Sequence, residues 1–291
     1  MRRRTHFATV ALFCCVGSTS TSAVRSVSIA SASDGPSSDE AAAAAAVLRT
    51  DGVVVLKCDL LDALAPPASN ADSILAGMLE RVARSGKDYD QPFSFAEICH
   101  RAPRRYDVHL GAGTSDSAFS TLFNSLVRPV LAKLCDGAYA SAGDTRIHII
   151  RDGLVTSLPG ASAQPFHADG RGHGLYNAFL PLVAVNTQGT EFWVGSHADE
   201  HAADRLQRDG VGGGGEYVGE SILHDDAIAA RISAPVLRRA EGIVLFDYRC
   251  IHRGRAHGAH EAGVRPIFYR VYALNDAAED VHNWPKTALP E

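Results

Sequence analysis

The second half of the chain consists of short runs of β-branched and aromatic residues separated by glycine and asparagine turns. Each run has the length and composition of a single β-strand. The predicted strands lie at residues 146–150, 176–185, 191–194, 236–238, 243–248 and 266–274. Many short strands at this spacing predict a β-sandwich or jelly roll, so we expect a mainly β fold.

The first half of the chain carries helical patterns instead. Ser37 and Glu40 match a capping box ahead of an alanine run, which predicts a helix. Asn70 is the predicted N-cap of a second helix. The apolar stripe at residues 119–134 predicts a third helix, kinked or split at Pro129. We therefore expect an α+β protein in which helices flank a β core.

The first 23 residues have the layout of a targeting segment. Three arginines precede an apolar run, and small residues follow it as far as Ala23. We expect a cleaved signal peptide leading to the secretory pathway or secretion; an organellar transit peptide is the alternative, because no acidic residue precedes Asp34. The apolar run is too short to span a bilayer, so no stable membrane span is expected. Residues 24–38 are interpreted as a linker and residues 39–291 as a single domain.

Charge and cysteine content argue against several classes of protein. The formal net charge is -5, which disfavours a general nucleic-acid binder and makes a small molecule the expected partner. Two of the six cysteines lie in the presequence, and the other four show no C-x-x-C spacing, so no zinc ribbon is predicted. Whether these four form disulfides stays open. They are Cys58, Cys99, Cys135 and Cys250. No sequence feature predicts an oligomeric state.

A histidine and an aspartate stand two residues apart in QPFHADGRGH, residues 164–173, a run with almost no helical or strand periodicity. In extended backbone, His167 and Asp169 point to the same side. A mononuclear ferrous site in an oxygenase needs two imidazoles and one carboxylate on one face of the metal. His252, which follows the β-rich run 243–248, is the predicted third ligand, because a jelly roll brings distant strands together.

Arg265 opens the last predicted strand and shares a strand face with apolar residues. A lone guanidinium in such a position suits bidentate binding of a dicarboxylate. Arg270 is the alternative, although it falls on the opposite face of the same strand. Arg101, Arg104 and Arg105 are interpreted mainly as a solvated charged face, with binding of an anionic substrate as the alternative.

These motifs, in this order, resemble the phytanoyl-CoA dioxygenase family of iron- and 2-oxoglutarate-dependent oxygenases. The resemblance runs from about residue 40 to about residue 285. The segments that carry it are TDGVVVL at 50–56, PGASAQPFHADG at 159–170, YNAFLPLV at 176–183, TEFWVGSH at 190–197, and LFDYRCIHRG followed by RP within 245–266. The resemblance implies a core with the double-stranded β-helix (jelly-roll, cupin-like) fold.

The resemblance also implies roles for the site residues and a reaction. The implied ligands of Fe(II) are His167, Asp169 and His252. The implied neighbours of the cosubstrate 2-oxoglutarate are Arg265, on its far carboxylate, and Gln164 and Asn177, near the cosubstrate or the metal. Dioxygen is the second cosubstrate, and the expected reaction is hydroxylation of an unidentified small molecule with release of succinate and CO2. Asp169 favours hydroxylation, because related halogenases have a small residue at that position.

One departure from the family pattern concerns the turn after the distal histidine. Many relatives have H-x-G-x-x-N-x-S there, whereas His257 and Ala259 stand at the Asn and Ser positions of this chain. His257 is therefore the alternative metal ligand to His252. Two glycines and several charged neighbours suggest that His257 lies in a mobile turn, which favours His252.

Two other classes of function are alternatives. The segment His197-Ala-Asp-Glu200-His201 matches H-x-x-E-H, in which two histidines one helical turn apart bind zinc and the glutamate activates water in a hydrolase. A ligand-binding relative of the same fold without catalysis would require a broken ligand triad, and all three ligand positions are intact. Substrate specificity is expected from the predicted loops at residues 86–113 and 207–225.

Overall fold

The structure is a computed structural model. It describes residues 23–60, 68–111, 117–135, 146–183, 189–199, 202, 223–235, 237, 241–261, 263–278 and 287–290. The presequence up to residue 22, the motif residues Glu200 and His201, and most of the predicted loop 207–225 lie outside these described residues.

Eleven strands, five α-helices and one 3-10 helix occur in these ranges. The strands are β1 (Ser26–Ser28), β2 (Val53–Lys57), β3 (Ile98–Ala102), β4 (Arg105–Gly111), β5 (Ile147–Ser157), β6 (Leu175–Pro181), β7 (Thr190–Trp193), β8 (Ile232–Ser233), β9 (Gly242–Asp247), β10 (His252–Gly254) and β11 (Arg265–Leu274). The α-helices are α1 (Ser38–Asp51), α2 (Ala68–Arg84), α3 (Ser117–Leu126), α4 (Arg128–Ala132) and α5 (Asp226–Ala229), and the 3-10 helix is Ser196–Ala198.

The strands form two sheets that pack face to face. The larger sheet has eight strands in the order β1-β2-β9-β6-β11-β5-β4-β3, and the smaller has three in the order β10-β7-β8. Neighbouring strands are antiparallel, except that β1 and β2 are parallel. Phe192 of β7 meets Phe246 of β9 with ring centroids 5.1 Å apart, so the two inner faces share an apolar core. The predicted fold class is confirmed: this is a mainly β protein with a double-stranded β-helix core.

Helices α1 to α4 cover the outer face of the larger sheet, whereas Ile228 of α5 packs in the cluster that contains Trp193 of β7. Phe119 of α3 stacks on Phe268 of β11 with ring centroids 4.4 Å apart. Leu48 of α1 joins the same buried cluster as Leu56 of β2. Because alternate strand residues face opposite sides, β11 directs Phe268 to the helices and Ile267 to the smaller sheet. The inner face of the larger sheet is therefore the face on which a functional site can lie.

The helix predictions for the first half of the chain are only partly confirmed. The capping box at Ser37 and Glu40 is present, with both of its reciprocal hydrogen bonds. The predicted split near Pro129 is confirmed, because α4 starts with proline in its first turn, where the missing N–H is not needed. The prediction of Asn70 as an N-cap is wrong, since α2 already begins at Ala68.

Two segments expected to lack regular structure contain strands. Residues 98–111, predicted as loop, form the hairpin of β3 and β4, because its charged residues find partners inside the fold. Residues 26–28, within the predicted linker, pair with β2. Strand β5 also continues past the expected end at residue 150, and Asp152 within it forms a buried ion pair with Arg270.

The described helices include none with the length and apolar character needed to cross a membrane.

Candidate metal centre

The fold brings the three predicted metal ligands together. His167, Asp169 and His252 each offer a ligand atom, and these atoms all lie within 4.8 Å of one another. The carboxylate oxygens of Asp169 lie 3.9 Å from Nε2 of His167 and 3.7 Å from Nε2 of His252. Two imidazole nitrogens and one carboxylate, converging from one side, form the donor set expected for a mononuclear transition-metal ion with open positions.

Backbone hydrogen bonds hold these three positions. His167 and His252 form an antiparallel bridge in which each N–H donates to the carbonyl of the other, both at 2.9 Å. The N–H of Asp169 donates to the carbonyl of Tyr248 at 3.0 Å. The H-x-D segment therefore lies alongside β10 and the turn before it, which explains how such distant residues share one site.

The second ring nitrogen of each histidine is bonded to the backbone. Nδ1 of His167 lies 2.8 Å from the carbonyl oxygen of Pro165, and Nδ1 of His252 lies 2.9 Å from that of Cys250. A carbonyl only accepts, so Nδ1 carries the proton and Nε2 presents its lone pair toward the shared point. Both rings are thus in the tautomer that fits a metal ion.

Burial favours the neutral, metal-binding form of His167, and aromatic packing holds the ring of His252. Burial, with a smaller effect of His252, lowers the pKa of His167 to about 4, so its ring is uncharged at neutral pH. The ring of His252 lies among three aromatic side chains: Phe246 at 4.9 Å, Phe192 at 5.8 Å and Phe179 at 6.4 Å between centroids. This packing restricts rotation of the ring.

The two amide residues predicted near the site both contact its framework. Asn177 of β6 donates from Nδ2 to Oδ2 of Asp169, so it orients the carboxylate of the candidate ligand. Gln164 joins the H-x-D segment to β10: its N–H donates to the carbonyl of Gly254 at 2.9 Å, and its Oε1 accepts from the N–H of Gly254 at 3.1 Å.

Arg265 lies on the inner face of β11 and is buried. Its terminal nitrogens donate to the carbonyls of Arg255 at 2.7 Å and Ala256 at 3.3 Å. Burial lowers the pKa of Arg265 to about 10, although Glu261 opposes the shift, so the guanidinium keeps its charge at neutral pH.

Arg270 lies on the other face of β11, as predicted. Its guanidinium donates to the two carboxylate oxygens of Asp152 at 2.6 and 2.8 Å and to the hydroxyl of Ser120 at 2.9 Å. Both members of the ion pair are fully buried beneath the helices. Arg270 therefore belongs to the core, and Arg265 is the arginine of this strand on the metal side.

The prediction that His257 lies in a mobile turn is wrong. His257 is buried, its Nε2 lies 2.9 Å from the carbonyl oxygen of Gly263, and its Nδ1 lies 3.0 Å from Glu261. Its backbone also exchanges hydrogen bonds with Gly160 and Ala161. The ring of His257 therefore stabilises the turn that precedes β11. His257 is not part of the cluster of His167, Asp169 and His252.

Sequence reasoning missed a buried polar group on the hairpin. Oδ2 of Asp107 accepts from Nε and Nη2 of Arg101 at 3.1 and 2.9 Å, and Oδ1 accepts from the hydroxyl of Tyr269 at 3.0 Å. Burial, with the charge of Asp107, raises the pKa of Tyr269 well above its usual value, so the phenol stays a donor. Arg101 also contributes to the lowered pKa of His167, which places its charge near the metal centre.

A glycine makes room for this group. A Cβ at Gly153 of β5 would lie 2.3 Å from the ring of Tyr269, so only glycine allows the ring to cross the strand toward Asp107.

The interpretation of the three arginines as a solvated face holds for Arg104 alone, since Arg101 is half-buried and Arg105 is buried. The alternation of polar and apolar residues at 105–108 is the sequence signal that indicates a strand at this position.

The structure does not support a zinc role for His197. Its Nε2 lies 3.1 Å from the carbonyl oxygen of Arg49, and its ring packs over Gly52, whose Cβ position would lie 2.4 Å from Nδ1. His197 also belongs to a short 3-10 helix, whereas H-x-x-E-H needs an α-helix to align its two histidines.

Comparisons with known proteins give matches only among solved structures. No protein-family model matches the sequence, and no curated protein matches it. AviO1 from Streptomyces viridochromogenes Tue57 is 19% identical, with a TM-score of 0.49 over 81% of this chain and 96% of that chain. The epimerase SnoN, crystallised with Fe3+, alpha ketoglutarate and nogalamycin RO, is 15% identical, with a TM-score of 0.49 over 88% and 97%.

HygX from Streptomyces hygroscopicus, with nickel and 2-oxoglutarate bound, is 11% identical, with a TM-score of 0.47 over 86% of this chain and 95% of that chain. Identities and scores this low assign no reaction, substrate or site residue to this chain.

Proposed function

We propose that the protein is an Fe(II)- and 2-oxoglutarate-dependent oxygenase that hydroxylates a small molecule. The observation that carries the proposal is the cluster of His167, Asp169 and His252 inside a double-stranded β-helix, with ligand atoms within 4.8 Å of one another. Both imidazoles have Nδ1 bonded to a backbone carbonyl, so both Nε2 atoms suit one metal ion. Within this class, the sequence resemblance favours the phytanoyl-CoA dioxygenase family.

The donor set agrees better with iron than with structural zinc. Structural zinc sites take four tetrahedral ligands, usually including cysteine, whereas two histidines and one carboxylate leave positions open for a cosubstrate and dioxygen. The four cysteines of the described residues are buried and do not belong to the cluster.

Arg265 supports the choice of 2-oxoglutarate as cosubstrate. It is a buried cation on the inner face of β11, the same face of the larger sheet that carries Asn177. A planar guanidinium matches a carboxylate, so the far end of 2-oxoglutarate would bind Arg265 while its 2-oxo acid end faces the metal centre.

Iron bound at this cluster would catalyse the oxidative decarboxylation of 2-oxoglutarate by dioxygen. This reaction would be coupled to the oxidation of a substrate C–H bond. The overall balance is one substrate, one 2-oxoglutarate and one dioxygen giving one hydroxylated product, one succinate and one CO2. The chain itself contributes positioning and exclusion of water. Asn177 orients Asp169, and the aromatic wall of Phe179, Phe192 and Phe246 shields His252 from solvent.

The test is anaerobic loading of the purified full chain with Fe(II) and 2-oxoglutarate. We expect stoichiometric iron and a weak visible charge-transfer band that forms only when both are present. Asp169→Ala should abolish the band, whereas Asp39→Ala, a change at an exposed position on α1, should leave it. Succinate release in air, measured across a set of small molecules, then identifies the substrate class. Zinc-supported hydrolysis that is lost in Glu200→Gln, without any iron-dependent band, would replace the proposal.

A further inference from the structure

Two buried guanidinium groups lie side by side on the inner face of the larger sheet. Arg105 of β4 and Arg265 of β11 both pair with Ser157 of β5, one from each side, so the three side chains share a face. Nη2 of Arg105 lies 2.6 Å from the carbonyl oxygen of Arg255, and Nη2 of Arg265 lies 2.7 Å from the same oxygen. The two cations therefore converge on one backbone atom.

Arg105 is buried without a carboxylate partner in the part of the chain that the structure describes. Only 2% of its surface is exposed, against 4% for Arg265. Its remaining hydrogen bonds go to the neutral carbonyls of Ser162 at 3.1 Å and Gly254 at 3.4 Å, and its Nε is buried with no acceptor. Burial, together with the charge of Arg265, lowers the pKa of Arg105 to about 9.

Burying Arg105 beside a second cation, with no carboxylate partner among the described residues, is costly for the fold. Each guanidinium loses hydration, and the two charges repel one another; an anion bound between them would relieve both effects. The carbonyls that Arg105 contacts also place the pair near the metal centre, because Ser162 leads into the H-x-D segment and Gly254 ends the strand that begins with His252.

We propose that Arg105 is a second cosubstrate-binding residue, which together with Arg265 binds the far carboxylate of a dicarboxylic 2-oxo acid. The inference rests on the proposed function and extends it to specificity. Two cations at the far end of the site favour a cosubstrate with a carboxylate there, so a 2-oxo acid with a single carboxylate binds poorly. The hydrogen bonds to Ser162 and Gly254 hold the guanidinium of Arg105 in place for this contact.

The first arm of the test uses the metal-free full chain and glutarate, which has two carboxylates but no 2-oxo group. Isothermal titration should show glutarate binding to the wild type and no comparable binding of butyrate. Arg105→Gln should weaken glutarate by about tenfold or more, with partial recovery in Arg105→Lys, because the charge-assisted hydrogen bonds are lost and then partly restored. Arg104→Gln, which changes the exposed neighbouring arginine, should bind glutarate as the wild type does.

The second arm uses the nickel-loaded chain and compares 2-oxoglutarate with 2-oxobutanoate. Arg105→Gln should lower the preference for the dicarboxylate, a ratio that a purely structural role would not change. Unchanged glutarate affinity and unchanged preference in folded Arg105→Gln protein would overturn the inference while leaving the proposed function intact. Failure of the wild type to bind glutarate or to prefer 2-oxoglutarate would also overturn it. Arg105-dependent glutarate binding without metal binding at the cluster would instead reject the oxygenase proposal.

Discussion

His167 and His252 face each other as an antiparallel pair, and each backbone N–H donates to the carbonyl of the other at 2.9 Å. Their ring centroids lie 4.6 Å apart. The same two bonds that join the segments therefore set the separation of the candidate ligands, and the geometry of the metal centre is part of the sheet framework and not of a loose loop.

The first prediction separates His252 from His257. His252→Ala should abolish iron binding, because it removes one of the three converging ligand atoms. His257→Asn should retain iron, since His257 is bonded to Gly263 and Glu261 in the turn before β11. Metal content of the two purified variants is the measurement. Iron retained in His252→Ala and lost in His257→Asn would overturn the proposed triad.

The second prediction concerns the support of Asp169 by Asn177. Asn177→Ala should weaken metal binding by roughly 10- to 100-fold, because the carboxylate loses the donor that orients it. The affinity is measured by competition with a chelator of known strength. Tyr176→Phe, on the next residue and the opposite face of β6, is the control that should leave metal affinity unchanged. Equal affinities in the wild type and Asn177→Ala would show that the hydrogen bond does not tune the site.

The third prediction contrasts the two arginines of β11. Arg265→Lys should weaken 2-oxoglutarate by about 1 to 3 kcal/mol with metal still bound, because lysine keeps the charge but loses the planar fork. Arg270→Met should instead destabilise the fold by about 3 to 5 kcal/mol, because it leaves Asp152 as an unpaired buried charge. Cosubstrate titration and urea unfolding measure the two effects. Normal cosubstrate affinity in Arg265→Lys would contradict the assignment of Arg265.

The fourth prediction tests the contact between Gly153 and Tyr269. Gly153→Ala should cost about 1 to 3 kcal/mol of unfolding free energy, because its Cβ would lie 2.3 Å from the ring. The same change should cost less in a Tyr269→Leu background, where the ring is absent. Gly77→Ala is the control, since nothing lies within 4 Å of that Cβ position on α2. Equal costs of Gly153→Ala in both backgrounds would exclude the ring as the obstacle.

The fifth prediction concerns the thiols. Cys58, Cys99, Cys135 and Cys250 are buried thiols, and no disulfide joins them in the described residues. Burial raises the pKa of Cys58 to about 11 and that of Cys250 to about 12, so both stay protonated and unreactive at pH 8.

In a Cys14→Ser, Cys15→Ser variant, a thiol reagent should therefore label none of these four cysteines in native protein and all four in denaturant. Mass spectrometry counts the labels. Fewer than four labels in denaturant, restored by a reductant, would reveal a disulfide.

Much of the candidate site can be read from the sequence, because metal chemistry admits few donor types. The H-x-D pair and a later histidine on a strand satisfy that requirement, and the structure places all three together. The period of two along a strand also separates Arg265 from Arg270, since the two fall on opposite faces whatever the packing. The separation of Arg265 from Arg270 depends only on local geometry, whereas the choice of His252 also depends on the expected jelly roll, which brings distant strands together.

The buried charges could not be predicted in this way. Arg101, Arg105 and Asp107 look like a solvated stretch of sequence, and their burial depends on Tyr269 and on the carbonyls of residues 162, 254 and 255, all far away along the chain. The same reason applies to His257, because its backbone exchanges hydrogen bonds with the distant Gly160 and Ala161, which the sequence of the turn does not reveal.

The sequence by itself determined the strand-rich second half, the capped first helix, the break near Pro129 and the identity of the candidate ligands. The first three follow from short-range rules of propensity and capping, and the ligands follow from donor chemistry together with the expected jelly-roll fold. The tertiary structure alone decided that β5 pairs with both β4 and β11, which sets Arg105 beside Arg265. The physical reason is that the cost of burying a charge depends on which distant groups surround it, and only the folded chain supplies those groups.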